Sequence, residues 1–284
     1  MAMIKIQNLS IEYGAFKAID DLSFSVNKGE LFGFLGPNGA GKTTTIKCLT
    51  GAIKPTHGTV EVAGYALPKQ FHKIKPLIAY VPDTENHYDD FSGRENLCLY
   101  ADLYGVSHNK VDQWLERLQL TEASDVKVRN YSKGMKKKLL IARAMIHNPQ
   151  LVFFDEPTAN LDIHSVKLVR GLLREIADEG VSVFLTTHDM EEVEQICDRV
   201  AIIAKGKLVD MDTPTAFITR HAERYCDVQY DTHGELIRTT LHLDKPEDKQ
   251  RLSKIVLNEK CVRVHSREFK FEDVFRKLTG EAYR

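Results

Sequence analysis

Apolar and polar positions along this chain change their period several times, and each change predicts a different kind of element. Leu22, Phe24 and Val26 alternate with Ser23, Ser25 and Asn27, the period of two that a half-buried antiparallel sheet requires. Asn27-Lys28-Gly29 reads as a turn. Leu31-Phe32-Gly33-Phe34-Leu35 is a mostly apolar run, the pattern of a buried parallel strand, and it leads straight into a glycine-rich loop and a helical stretch from Lys42 to about Leu49. Between about residues 90 and 147 the period becomes helical, with Ser92-Gly93-Arg94-Glu95 as a capping box and Val111, Trp114, Leu115 and Leu118 on one face. Asn148-Pro149 closes that block.

From Leu151 strands and helices alternate again: Leu151 to Phe154, a helix with Val166, Val169, Leu173 and Ile176 on one face, then Val181 to Thr187 and Val200 to Ala204. After Lys205-Gly206-Lys207 the segments shorten, with Val228 and Tyr230, then Ile237, Leu241 and Leu243, a helix around Leu252 to Leu257, and an amphipathic ending of Phe271, Val274, Phe275 and Leu278. The predicted fold is α/β: a parallel core sheet, an N-terminal antiparallel β subdomain, an inserted helical subdomain at about residues 88–148, and a small C-terminal α+β appendage. Domains are expected at 1–210 and 211–284.

Composition narrows the function classes. Lys and Arg number 39 against 40 Asp and Glu, a formal charge of -1, which argues against a general electrostatic affinity for nucleic acid. The five cysteines are scattered and never form a Cys-x-x-Cys pair, so neither a disulfide framework nor a zinc site is suggested and a reducing cytosol fits. No apolar run approaches the roughly 18 residues that span a bilayer, and no charged-then-apolar signal segment opens the sequence. Any membrane role is expected to be peripheral.

Two motifs carry chemistry. Gly36-Pro37-Asn38-Gly39-Ala40-Gly41-Lys42-Thr43 lies between a predicted strand and a predicted helix, with Thr44 next. In that context glycines let backbone N–H groups wrap a β-phosphate, Lys42 brings a positive charge to the β- and γ-phosphates, and Thr43 offers a hydroxyl to magnesium. Phe153-Phe154-Asp155-Glu156 is the second motif. Its apolar strand delivers Asp155 to the carboxyl edge of a sheet, where it can hold magnesium through water, and sets Glu156 one residue beyond, placed to polarise an attacking water as general base.

The order Tyr13, glycine loop, Tyr80-Val81-Pro82-Asp83, Tyr131-Ser132-Lys133-Gly134-Met135, Asp155-Glu156, Asn160-Leu161-Asp162 and His188 resembles the nucleotide-binding subunits of ABC transporters, over residues 1 to about 210. The resemblance implies a P-loop NTPase fold, ATP and Mg2+ as ligands, and an ATPase that works as a dimer of two copies. By the same match Tyr13 stacks on adenine, and Ser132 and Gly134 contact the γ-phosphate held by the second copy. His188 is the switch histidine, and Asp162 belongs to the dimer-interface loop. Each has a plainer reading: Tyr13 as a sheet-face tyrosine, Ser132 and Asp162 as helix N-caps. Lys136-Lys137-Lys138 reads as a solvated helix face rather than a phosphate clamp.

Two positions depart from the family pattern. Asp83 stands where the family commonly has Gln, and Lys133 where it usually has Gly. Both, with the ending Phe271 to Gly280, resemble the branch exporting drugs, antibiotics and lipids. Asp83 has two readings: a catalytic and magnesium-ligating carboxylate that tunes hydrolysis, or a Pro-Asp turn residue without nucleotide contact.

The leading expectation is an ATP-driven motor on the cytoplasmic face of the membrane, moving an integral membrane permease subunit. The alternatives are a soluble ABC ATPase acting on nucleic acid or ribosomes, and a nucleotide-regulated interaction protein. Against the first of these stand a single set of motifs and a spacing of 155 - 43 = 112 residues from Thr43 to Asp155, with no sustained heptads.

Overall fold

A computed structural model describes residues 2–232, 234–258, 260–267 and 269–280; the last residues of the expected accessory region lie outside them. The chain divides into two units, one ending at Asp212 and one beginning at Thr213.

In the first unit, β1 (Ala2–Tyr13) and β2 (Phe16–Asn27) pair antiparallel, and β3 (Leu31–Leu35) follows. Then come α1 (Lys42–Leu49), β4 (His57–Val62), β5 (Tyr65–Leu67), the single turn α2 (Phe71–Ile74) and β6 (Ile78–Val81). The helical block is α3 (Gly93–Tyr104), α4 (Asn109–Arg117) and α5 (Lys133–Met145). The capping box at Ser92 and Glu95 is formed, and Val111, Trp114 and Leu115 are the buried positions of α4. Leu118, expected on the same helical face, lies one residue past the helix and is buried there. The chain continues through β7 (Leu151–Asp155), α6 (Ile163–Asp178), β8 (Ser182–Thr187), α7 (Met190–Ile196), β9 (Arg199–Ala204) and β10 (Lys207–Asp212).

These strands form two sheets, in the orders β2-β1-β4-β5 and β10-β9-β3-β8-β7-β6. From β9 to β6 the second sheet is parallel. Every residue of β3, β7 and β8 is buried, which is why these strands read as continuous apolar runs rather than alternating ones.

Alternate side chains of this sheet serve two cores. Leu31, Val152, Phe154, Val183 and Leu185 pack with Leu139, Leu173 and Ile176 of α5 and α6. Phe32, Phe34, Phe153 and Phe184 face the antiparallel sheet. Phe24 of β2 meets Phe32, Phe34 and Phe184 there at centroid distances of 5.6, 5.4 and 6.3 Å, and Phe184 also lies 5.6 Å from Phe153. Stacked and tilted contacts of this kind add to the large apolar area that each ring buries.

The second unit comprises α8 (Pro214–His221), β11 (Tyr225–Thr232), β12 (Glu235–His242), α9 (Pro246–Asn258), β13 (Lys260–Arg267) and α10 (Phe271–Thr279). Its strands run antiparallel in the order β12-β11-β13. Cys226, Val228, Tyr230 and Leu241 of the sheet pack against Ile255 of α9. Phe217 of α8 meets Phe271 of α10 edge-on, centroids 5.6 Å apart. Glu223 accepts hydrogen bonds from the Lys277 ammonium and the Tyr225 hydroxyl, both at 2.5 Å, with a His242 ring nitrogen 3.0 Å away. These donors, Lys277 first, pull the Glu223 carboxyl down to about 2.

Two expected outcomes follow from this packing. Phe184→Ala should lower stability by about 3–5 kcal/mol, read as a lower urea midpoint, because the cavity opens where two sheets meet. Glu223 has its folded-state pKa below the unfolded one, so its contribution is present above the ordinary carboxylate range and is lost as pH falls toward about 2. Urea unfolding of Glu223→Gln across that window should show a shallower acid dependence than wild type.

Candidate functional site

The loop between β3 and α1 encloses its own lysine. Lys42 Nζ donates to the carbonyls of Gly36 at 2.6 Å and Pro37 at 3.3 Å, and the residue is buried. Gly41 adopts φ 110°, and a Cβ there would stand 2.5 Å from Ile19 Cδ1, so only glycine lets the chain turn into α1 at this point. Ala40 N–H closes the turn onto the Pro37 carbonyl at 3.0 Å. Asn38, Gly39 and Thr43 are exposed, while Thr44 is half-buried. No side chain caps α1 and no acidic residue occupies its first turn, so its N–H groups and dipole remain available to an anion.

Parallel pairing brings the other chemistry alongside. Leu35 at the end of β3 is opposite Thr187 of β8, and Thr186 is opposite Asp155 of β7. Thr186 Oγ1 donates to Asp155 Oδ1 at 2.5 Å, and Tyr80 of β6 donates its hydroxyl to Asp155 Oδ2 at 3.3 Å. Burial, reinforced by the Asp155 charge, pushes the Tyr80 phenol up to about 12, so it stays a donor.

Glu156 takes φ 49°, a conformation that a non-glycine residue adopts only under local constraint. Its N–H donates to the Thr186 carbonyl at 2.9 Å, and its Oε2 lies 2.7 Å from His188 Nδ1 and 3.4 Å from the His188 N–H. Burial raises the Glu156 pKa, while His188 and Lys42 oppose that shift. The loop lysine, Asp155, Glu156 and His188 therefore belong to one neighbourhood at the carboxyl ends of β3, β7 and β8.

Ser132, Gly134 and Asp162 are gathered differently. Ser132 caps α5 by accepting from Met135 N–H at 3.2 Å, and Asp162 caps α6 by accepting from Ser165 N–H at 3.0 Å. A Cβ on Gly134 would stand 2.5 Å from Ser165 Oγ, so the start of α5 touches the first turn of α6. Tyr13 closes β1 with 52% of its surface exposed.

The lysine run does not form a solvated face. Lys136 lies 3.8 Å from Glu85 and 3.7 Å from Asp89, Lys138 donates to the Leu118 carbonyl at 3.1 Å, and Lys137 is buried with its Nζ 3.3 Å from the Asp83 carbonyl. The reason is tertiary: segment 83–89 lies against α5 at Lys136 and Lys137, and the end of α4 meets Lys138, at positions that helical periodicity alone leaves to water. Burial lowers the Lys137 pKa, and Asp83, Glu85, Asp155 and Glu156 oppose the shift. Asp83 itself is exposed.

Sequence reasoning assigned no role to Lys137, Thr186, Tyr80 or Glu192. Glu192 is wholly buried on α7, where burial pushes its carboxyl up to about 7 against the hydroxyls of Thr187 and Thr158. Its spacing after the cap Asp189 reads only as a capping position; no one-dimensional signal marks burial of a carboxylate.

Comparison with known proteins places this geometry. A family model described as ABC transporter matches residues 19–159. The fluoroquinolones export ATP-binding protein of Mycobacterium tuberculosis is 33% identical over 98% of this chain and 93% of its own length. A Nod factor export ATP-binding protein of Burkholderia lata is 34% identical over 99% and 98%. The bacitracin transport ATP-binding protein of Bacillus licheniformis is 33% identical over 98% and 97%. Among solved structures, an ATP-binding subunit of an ABC transporter superposes with a TM-score of 0.70 at 29% identity, covering 77% of this chain and 92% of that one.

Removing the Thr186 hydroxyl by Thr186→Val leaves a buried carboxylate oxygen without its donor. Stability should fall by about 1–3 kcal/mol, and by less for Tyr80→Phe, whose bond is longer and partly exposed; urea unfolding of the two variants reads the difference.

Proposed function

The chain belongs to the ABC transporter family, as an ATP-hydrolysing subunit, and on that premise we propose that it drives export through a partner membrane protein, working as an ATP-sandwich dimer at the cytoplasmic face. The observation carrying this reading is the convergence of the 36–43 loop, Asp155 and the Glu156–His188 pair on the carboxyl ends of adjacent parallel strands. Ligands of open parallel sheets lie at that edge. Full-length similarity to export subunits supports transport over action on nucleic acid. Among the described residues no helix is long and apolar enough to cross a membrane, so the membrane-spanning path is assigned to the partner.

Lys42 leaves its own loop carbonyls to meet the β- and γ-phosphates, exchanging one set of oxygen acceptors for another. The glycine loop, with the backbone N–H groups of Gly36, Asn38, Gly39, Ala40 and Gly41 and with Pro37 shaping its turn, and the start of α1 at Thr43 and Thr44, surround the phosphate chain. Tyr13 stacks on adenine. The donor set of Thr43, Asp155 and Asp83 is all oxygen, which suits Mg2+, and the ion bound there would neutralise developing phosphoryl charge. Glu156 accepts the proton of the attacking water; its buried setting favours the protonated form more than water does, and His188 fixes its orientation at 2.7 Å. Ser132 and Gly134 of the second copy complete the γ-phosphate site, with Asp162 at the joint between copies.

Glu156→Gln keeps the shape and removes the base. With ATP it should turn over at least about a hundredfold more slowly and elute as a trapped dimer on gel filtration. A persistent monomer would overturn the sandwich, and wild-type turnover would remove Glu156 as the base.

A further inference from the structure

Segment 83–89 contains neither helix nor strand, yet α5 holds it at several points. Lys137 Nζ donates to the Asp83 carbonyl, Lys136 stands between Glu85 and Asp89, and Arg143 donates to the Asn86 carbonyl at 2.8 Å. His87 adds a ring nitrogen 2.9 Å from the Lys136 carbonyl. Among these groups Lys137 is distinctive because only 3% of it is exposed and its ammonium is held against the Asp83 carbonyl rather than in water.

The charges around it are unevenly matched. Lys136 attends Glu85, and His188 attends Glu156. Asp83 has no ion-pair partner among the described residues, while its charge acts on both Lys137 and Tyr80. An isolated buried ammonium is unfavourable, and so is an unpaired carboxylate on a segment next to a site where a triphosphate is to be bound. Each makes the other tolerable.

We infer that Lys137 is a positioning residue for ATP turnover: its ammonium fastens the Asp83 backbone to α5 and offsets the Asp83 carboxylate. The inference rests on the ATPase reading of the site and adds a residue to it. It also has a mechanical side. Ser132, offered to the second copy's nucleotide, and Lys137, holding the segment next to the chain's own nucleotide, lie on the same helix little more than one turn apart. Segment 83–89 and the Ser132 end are therefore held by one helix.

The test uses the full chain and a charge cycle: wild type, Lys137→Met, Lys137→Arg, Asp83→Asn, and Lys137→Met with Asp83→Asn. Steady-state turnover of Mg2+-ATP is measured together with amide hydrogen exchange across 83–89 in nucleotide-free protein. Lys137→Met should lower kcat about tenfold while KM for ATP moves less than about threefold, and Lys137→Arg should restore kcat to within about threefold. In the Asp83→Asn background the same Lys137→Met change should lower kcat by no more than about threefold. Exchange across 83–89 should quicken in Lys137→Met and return to the wild-type rate in Lys137→Arg. An equal loss in both backgrounds, or unchanged exchange in Lys137→Met, overturns the inference. A wild-type chain that fails to hydrolyse ATP would instead overturn the functional reading, and the exchange measurement would still decide whether Lys137 fastens the segment.

Discussion

Strand β8 lies in parallel register between β3 and β7, with Leu35 opposite Thr187 and Asp155 opposite Thr186, and the reactive groups of the site hang from those pairings. A register slip of one residue would turn every side chain of the strand to the opposite face. Phe184 would then leave the aromatic core and Thr186 would leave Asp155. Because both faces of β8 are buried in packed cores, such a slip is heavily penalised. The two cores thus hold the chemistry in place although the aliphatic and aromatic side chains of the strands that fill them carry no reactive group.

The same burial explains the electrostatics at the strand ends. Lys42 is satisfied by carbonyls of its own loop, Asp155 by the hydroxyls of Thr186 and Tyr80, and Glu156 by His188. Each charged group has directed partners, as buried charges require.

Much of this was legible in one dimension because the relevant signals are local. The step from the apolar run Leu31–Leu35 to Gly36 and on to Lys42 implied strand, loop and helix, and α1 begins at Lys42. The capping box at Ser92 and the caps at Ser132 and Asp162 depend on side chains three residues from the amide they accept, and each is formed. Lys136 to Lys138 misled for the opposite reason. The environment of Lys136 and Lys137 is created by segment 83–89 and that of Lys138 by the Leu118 carbonyl, both far away in sequence, and a helical wheel contains no record of what crosses it.

Sequence by itself determined the order of elements, the glycine loop between β3 and α1, the carboxylates at the end of β7 and the resemblance to one family, because periodicity, capping and motif spacing are properties of neighbouring residues. Tertiary structure alone decided that Thr186 and Tyr80 hold Asp155, that Glu192 is buried beneath the His188 turn, and that Lys137 reaches the Asp83 backbone. Burial and pairing of a charge depend on groups brought together from distant parts of the chain, and that proximity exists only once the strands are in register.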